Sequence, residues 1–378
     1  MIYLDNNATT MVDPLVVSAM QPYLEHYYGN PSSIHSFGQQ AFKKIEEVKD
    51  LIGKKIGCSG SEIFFTSSGT ESNNLCLLGF AKAHRAKGNH IITSKIEHAS
   101  ILKPLAFLEK MGFDITYLDV DAEGFVDPQV LRKSIKKETI LISIGHANSE
   151  IGTLQPLEEL VEVAESIPFH TDAIQSFLKV DLDVQKLNLA LVAFSGHKFH
   201  APKGIGFIYK RKDIELEPLI YGGRQEGDLR AGTENVSGIV GLGAAIQNYH
   251  EQDVVRMRAL QKKLLAELTD RFGVKINGPQ NYLKRVCTNV NVSFDRVEGE
   301  TILKGLSDAH IFISTGSACS SKKSRISHVM KSINCPPAFL HGNIRIGLSK
   351  FTTQEEIETF LETISRVISH QSHFSLGL

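Results

Sequence analysis

The chain has 378 residues, with 41 Lys and Arg against 42 Asp and Glu, a formal net charge of −1, 42% hydrophobic and 22% charged residues. At roughly 150 residues per domain, this length allows two to three domains, or one large α/β domain with an appendage. The balanced charge argues against a nucleic-acid binder, the composition excludes disorder, and no apolar run approaches the ~18 to 20 residues of a membrane span. The opening MIYLDNN has an acid at position 5 and no basic stretch, so it does not read as a signal peptide. The cysteines (58, 76, 287, 319 and 335) are odd in number and contain no CxxC pair, which speaks against a disulfide framework and a cysteine zinc site. A soluble cytoplasmic protein, large enough to bury a cofactor, is expected.

Along the chain, Asp13-Pro14 reads as an N-cap with proline at the first helical position, opening a helix over 14–28. A second helix is expected over 33–51, with Gly53 just beyond it. Short apolar runs then alternate with helical stretches, at 62–67, 90–95, 114–120, 139–145, 168–172 and 188–195. Most are continuously apolar, the pattern of strands buried on both faces of a mostly parallel sheet. The segment 204–210 continues the sheet as a candidate antiparallel strand. After about 250 the pattern changes. A long amphipathic helix carries Met257, Leu260, Leu264, Leu268 and Phe272 on one side. Strands over 288–294 and 311–315 flank a helix near 298–306, and a strand over 343–349 precedes a last helix. That helix opens with a capping box of Thr353 and Glu356 and buries Ile357, Phe360, Leu361, Ile364 and Ile368. This part reads as a smaller α+β domain.

One lysine stands apart. In NLALVAFSGHKFHAPKGIGFIY (188–209) an apolar strand ends in Ser195-Gly196-His197-Lys198, and a second strand follows Pro202-Lys203-Gly204. Open α/β sheets bind ligands at such strand ends. A lysine there forms a Schiff base with an aldehyde cofactor or a carbonyl substrate, or is simply an exposed loop lysine. Three neighbours bear on the choice. Asp172 ends a predicted strand, where it pairs with a pyridinium nitrogen or serves as an N-cap. In TSSGTES (66–72), a strand runs through Gly69 and Thr70 into a helix, offering free N–H groups and hydroxyls to a phosphate, or an ordinary capping turn. His98, at another strand end, is a flat ring to stack on a cofactor, or a solvated side chain. All four fall at strand ends of one sheet, which favours the joint reading. His197 and His200 are three apart, but they lie in this same loop, and no metal site is expected. GIVGLGAA (238–245) faintly matches a dinucleotide loop, yet it lacks a preceding strand and reads as a helix whose glycines allow close packing.

The chain resembles the cysteine desulfurases of the class V aminotransferase family. The resemblance rests on YLDNNATT (3–10), GNPSSIH (29–35), TSSGTES (66–72), EHAS (97–100), ANSEIGTLQP (147–156), HTDAIQS (170–176), SGHKFHAPKGIG (195–206), GGRQEGDLRAGTEN (222–235), STGSACSS (314–321) and IRIGLSKFTT (344–353). It implies the type I fold of pyridoxal 5'-phosphate-dependent transferases. That fold has a mostly parallel, seven-stranded-type sheet in a large domain, here over 13–253. The smaller α+β domain comes from 1–12 and 254–378 and carries the catalytic cysteine loop.

The resemblance also implies roles. Lys198 carries the cofactor as a Schiff base, Asp172 pairs with the pyridinium nitrogen, Gln175 reaches the ring oxygen, and His98 stacks on the ring and is expected, with Lys198 and Cys319, among the catalytic residues. Gly69, Thr70, Ser195 and His197 bind the phosphate. Thr233 matches a threonine supplied by the partner subunit, which implies a homodimer. Arg345 holds the substrate carboxylate, a task suited to a planar two-pronged donor. Cys319 forms the persulfide, taking sulfur from L-cysteine and leaving L-alanine. Where the family commonly reads Asn-Asn-Glu, this chain has Asn148-Ser149-Glu150. The second Asn reaches the ring oxygen and the substrate carboxylate, and the shorter Ser149 is expected to alter substrate affinity or the Schiff base.

The chemistry accounts for these residue types. Released Lys198 is the expected general base, which must be neutral when it acts, as burial beside a cationic ring favours. Attack on sulfur requires a thiolate at Cys319. Lys322, Lys323 and Arg325 either favour that thiolate and an acidic partner or are solvated charges. The stretch 316–327 resembles the long loop of the desulfurases that pass sulfur to separate acceptors: an iron–sulfur scaffold or a thiolation relay. Two rivals remain at this point: another enzyme of the same fold, such as a selenocysteine lyase or aminotransferase, and a cofactor-binding member of an assembly complex with little turnover. Cys319 speaks against transamination, which needs no nucleophilic thiol.

Overall fold

The computed structural model describes residues 1–315 and 326–375, the side chains of the last six of these excepted. Among the described residues there are twelve strands: β1 (Ile2–Tyr3), β2 (Ile63–Thr66), β3 (His90–Ser94), β4 (Asp114–Leu118), β5 (Thr139–Ser143), β6 (Phe169–Asp172), β7 (Leu191–Ser195), β8 (Gly206–Lys210), β9 (Lys275–Ile276), β10 (Asn289–Ser293), β11 (Ile311–Phe312) and β12 (Asn343–Gly347). Seven form one sheet in the order β2-β8-β7-β6-β5-β3-β4. Only β8 runs against its neighbours, pairing antiparallel with both β2 and β7. Every residue of β3, β5 and β7 is buried, as continuous apolar runs covered on both faces require.

Two hydrophobic layers cover this sheet. One includes Val16, Val48 and Ile52, which pack with Phe177, Phe194, Phe199 and Phe207. The other includes Leu75, Phe80, Ile101 and Leu105. A separate core fills the space between the antiparallel sheet β12-β10-β9 and the helices Glu251–Phe272, Gly299–Asp308 and Gln354–Ser375. The Thr353–Glu356 capping box forms in both directions, at 3.0 and 3.2 Å.

Several boundaries differ from expectation. The first helix, capped by Asp13, stops at Glu25 rather than 28. The second spans Ser36–Ile56 and runs straight through Gly53. Its stop is Gly57, in the left-handed conformation at φ 76°. Gly53 is there for close approach, since a Cβ would lie 2.6 Å from the carbonyl oxygen of Cys58. The expected strand over 311–315 is only two residues long and leaves the small sheet to pair in parallel with β1. The segment 236–247 is a helix whose glycines press on neighbours, a Cβ on Gly241 falling 2.7 Å from Met20 Sδ and one on Gly243 2.8 Å from Val48. Among the described residues no helix is long and apolar enough to cross a membrane.

Phe177 joins the sheet to the lysine turn. It packs edge-on against Phe194, Phe199 and Phe207, with ring centroids 4.9 to 5.6 Å apart. Phe177→Ala should therefore lower the unfolding free energy by ~3–5 kcal/mol, read as a shift of the denaturant midpoint at unchanged slope.

Candidate active site

Strands β2, β3, β5, β6 and β7 all point their carboxyl ends at one edge of the sheet, and the loops leaving them enclose a cavity of about 480 Å³. That volume suits a small-molecule site. Gly69, Thr70, His98, Ser149, Asp172, Gln175, Ser195, His197, Lys198 and Arg345 all line it. Thr233 is exposed and stands outside the cavity lining. Cys319 and most of its loop lie outside the described residues. The flanks of that segment are tied to the cavity. Ser314 pairs with the backbone of Arg345, Ser327 Oγ donates to Glu150 Oε2 at 2.5 Å, and His328 Nε2 donates to the carbonyl of Glu97 at 3.0 Å.

Lys198 follows β7 on a short 3₁₀ turn, and its Nζ donates to the carbonyls of Asn7 and Ala8, each at 2.7 Å. Asn7 also exchanges hydrogen bonds with Gln175, at 3.3 and 3.0 Å. The N-terminal segment, read above only as part of a motif, is thus the clamp on both. Behind the turn, buried Lys179 donates to the carbonyl of Lys198 at 3.0 Å. Burial lowers its pKa to about 8, with Cys287 opposing the shift.

Asp172 ends β6. Its Oδ1 accepts from the backbone N–H of Ile174 at 2.9 Å and its Oδ2 from Asn73 Nδ2 at 2.8 Å. Burial pushes its carboxyl above the usual range, while these hydrogen bonds and the neighbouring His98 and Lys198 pull it down. A buried carboxylate in that position gains most from a nearby cation.

Arg345, on β12, is held from two sides. Nη2 pairs with Asp5 Oδ1 at 3.0 Å and Nη1 donates to the backbone carbonyl of Ser149 at 3.2 Å, and Nε is buried with no partner among the described residues. Asp5 was not foreseen as a partner. The contact at 149 uses the main chain, so this hold on the guanidinium does not depend on the residue type there. Asn148 is a turn residue. Its Oδ1 accepts from the N–H groups of Glu150 and Ile151, and its Nδ2 donates to the carbonyl of Ile96.

The cavity fits pyridoxal phosphate. At its floor a Cβ on Gly69 would lie 2.3 Å from Ile174 Cδ1 and 3.0 Å from Ser195 Cβ, so the helix that opens there brings bare backbone to the cavity wall beside Ser68 and Thr70. A phosphate suits that place. Asp172, half-buried at the end of β6, suits a protonated ring nitrogen, and Lys198 offers an amine to an aldehyde.

Glu97 sits beside the cavity, fully enclosed. Burial pushes its carboxyl up to about 7, and the hydrogen bonds from Ser94 and Gly145 only partly offset this. A carboxyl raised in the folded state contributes stability that is complete below the ordinary glutamate pKa and is lost as pH rises through about 7. Glu97→Gln should flatten the fall of unfolding free energy between about pH 4.5 and about pH 7, by as much as ~1.4 kcal/mol per pH unit. Denaturant titrations of both proteins across that range check this.

The Aminotransferase class-V family profile matches residues 2–360. The chain is 48% identical over 373 residues to a cysteine desulfurase IscS of Dictyoglomus turgidum, covering 97% of this chain and 94% of that one. Among solved structures, a NifS-like protein superposes with a TM-score of 0.91 at 36% identity, over 98% of this chain and 99% of that one. SspA in complex with cysteine superposes with a TM-score of 0.83, also at 36% identity, over 93% of this chain and 100% of the other. With the lysine, the carboxylate and the guanidinium meeting at one sheet edge, and similarity running over nearly the whole length, this chain belongs to the class-V aminotransferases and, within them, to the cysteine desulfurases.

Proposed function

We propose that the protein is a pyridoxal 5'-phosphate-dependent cysteine desulfurase that converts L-cysteine to L-alanine and takes the sulfur onto Cys319. The observation that carries this reading is that Lys198, Asp172 and Arg345, from three different strands or strand ends, open into one cavity. The two hydrophobic cores support a cofactor-binding unit over 13–253 and a smaller unit, from 1–12 and 254–378, that brings Arg345 and Cys319.

When bound, the cofactor supplies an aldehyde and a protonated ring that withdraws electrons from the substrate Cα. Lys198 would hold it, Asp172 would keep its ring nitrogen protonated, and Gln175 would face its ring oxygen. Gly69, Thr70, Ser195 and His197 would bind its phosphate, His98 would cover one face of its ring, and Ser149 would line the substrate side. Arg345, oriented by Asp5 and the Ser149 carbonyl, binds the carboxylate of L-cysteine. The Lys198 amine takes the Cα proton. The Cys319 thiolate attacks the substrate sulfur: a sulfur–sulfur bond forms, the carbon–sulfur bond breaks, and the departing three-carbon unit gains protons to become alanine. The sulfur then passes to an acceptor protein, an iron–sulfur scaffold or a thiolation relay, in the cytoplasm. Lys322, Lys323 and Arg325 suit an acidic partner.

A homodimer is part of this reading. Leu15, Val17, Leu24 and Phe42 on the N-terminal helices, and Tyr28 and Ile34 in the segment that joins them, are exposed, an apolar excess that a partner copy would cover. Thr233, exposed on its own protomer, is then free to serve the partner's phosphate site.

The decisive assay is alanine and sulfide production from L-cysteine with a thiol reductant. Cys319→Ala should keep the absorbance shift on adding L-cysteine and release no sulfide, whereas Lys198→Ala should lack the cofactor's lysine-linked absorbance altogether. Sulfide release from Cys319→Ala at the wild-type rate would end the persulfide mechanism. Arg345→Lys should raise KM for L-cysteine by roughly ten- to a hundredfold, the loss of a charged contact worth ~1.5–3 kcal/mol.

A further inference from the structure

Four polar side chains form an unbroken line from the ring of His98 to the carboxylate of Asp172. Asn73 Nδ2 carries two hydrogens and spends both, one on Asp172 Oδ2 and one on Ser100 Oγ, each at 2.8 Å. The amide cannot be turned round, because its oxygen would then face a carboxylate; that oxygen is buried with no partner among the described residues, so the nitrogen side alone sets the orientation. Ser100 Oγ therefore accepts from Asn73 and keeps its own hydrogen to give. His98 Nδ1 lies 2.8 Å away.

A second donor reaches the same nitrogen. His98 is the N-cap of the 12-residue helix Ala99–Lys110, and the backbone N–H of Ser100 donates to Nδ1 at 3.1 Å. Helix geometry fixes that N–H. A hydrogen on Nδ1 would face it head-on, and the positive end of the helix disfavours an imidazolium there. The other groups facing the ring act mainly in the same direction. Burial is the largest influence holding its pKa down, Lys198 and His328 add to it, and only Asp172 opposes them.

We infer that His98 is held as a neutral imidazole with its proton on Nε2, and that Ser100 and Asn73 are the positioning residues that hold it so. Resting on the desulfurase reading, this narrows what His98 does. It presents a flat, uncharged ring and a single N–H donor, and it is not the acceptor of a substrate proton. The amine of Lys198 is left to take the Cα hydrogen. The line to Asp172 transmits orientation and no proton, since an amide stands in its middle.

The test is spectroscopic. The pyridoxal phosphate-loaded enzyme, labelled with ¹⁵N in its histidine rings, is examined by two-bond ¹H–¹⁵N correlation, and the His98 pattern is identified by its loss in His98→Gln. The expected pattern is an unprotonated Nδ1 and a protonated Nε2, unchanged from about pH 8 to about pH 6, the range where an ordinary imidazole gains its second proton. Ser100→Ala removes one of the two donors to Nδ1, so the His98 titration should move upward into that range. An imidazolium at about pH 7, or a proton on Nδ1, in the wild-type enzyme would overturn the inference. An unmoved titration in Ser100→Ala would overturn the part assigned to Ser100. The readout is independent of turnover: an enzyme that makes no sulfide yet shows the Nε2 proton refutes the reaction alone, and active enzyme with a charged His98 refutes the tautomer alone.

Discussion

An amine and a carboxylate are needed together at the carboxyl edge of a sheet whose interior is apolar, and the rest of the structure answers to that constraint. Lys198 is satisfied by two main-chain carbonyls of the N-terminal segment, and Asp172 by one backbone N–H and one amide. Neither hold adds a competing charge. Carbonyls place the lysine, and neutral donors keep the carboxylate ready for a cation. A buried ion pair made only from protein groups would have locked both side chains to each other.

The surroundings keep the number of charges low. Burial depresses the pKa values of His146, His197 and His200 to about 4, and that of His170 to about 3, so four imidazoles near the strand ends are neutral at ordinary pH. Arg345 has Asp5 beside it, which orients the guanidinium and still leaves a buried N–H with no partner among the described residues. The end of β6, the turn after β7 and the middle of β12 thus contribute one ionic function each, and packing fixes the spacing between them. The aromatic cluster of Phe177, Phe194, Phe199 and Phe207 does this from below, since it includes residues on both sides of the lysine turn.

Much of this was legible from local pattern. The seven strands of the large sheet lie within the apolar runs, and the reversed strand was the one after the lysine turn, because continuous β-branched runs have few other ways to be buried. The groups that escaped reading are those whose meaning depends on distant partners. Asp5 meets Arg345 across 340 residues, and Asn73 meets Asp172 across 99. No periodicity announces such pairs. Gly53 reads as a stop because glycine usually ends a helix, but here close packing, not a left-handed turn, calls for it. The serine at 149 looked like a weakened ligand, whereas its observed contact with Arg345 is made by the main chain, which no side-chain comparison discloses. His98 was legible as a ring, but its capping of the following helix was not.

The pairing of β1 with β11, and of Asp5 with Gly347, ties the first residues of the chain to some of the last. Such contacts close very long loops and form late in folding. On a ribosome adding ~5–20 residues per second, the N-terminal strand waits on the order of tens of seconds for its neighbours to emerge. Until then the segment around Asn7 and Ala8 is held from one side only, by the Asn7–Gln175 hydrogen bonds and the contacts of Thr9 and Thr10 with His197. The nascent chain can therefore complete its large sheet before Arg345 has arrived, and the lining of the cavity is whole only once translation is nearly finished.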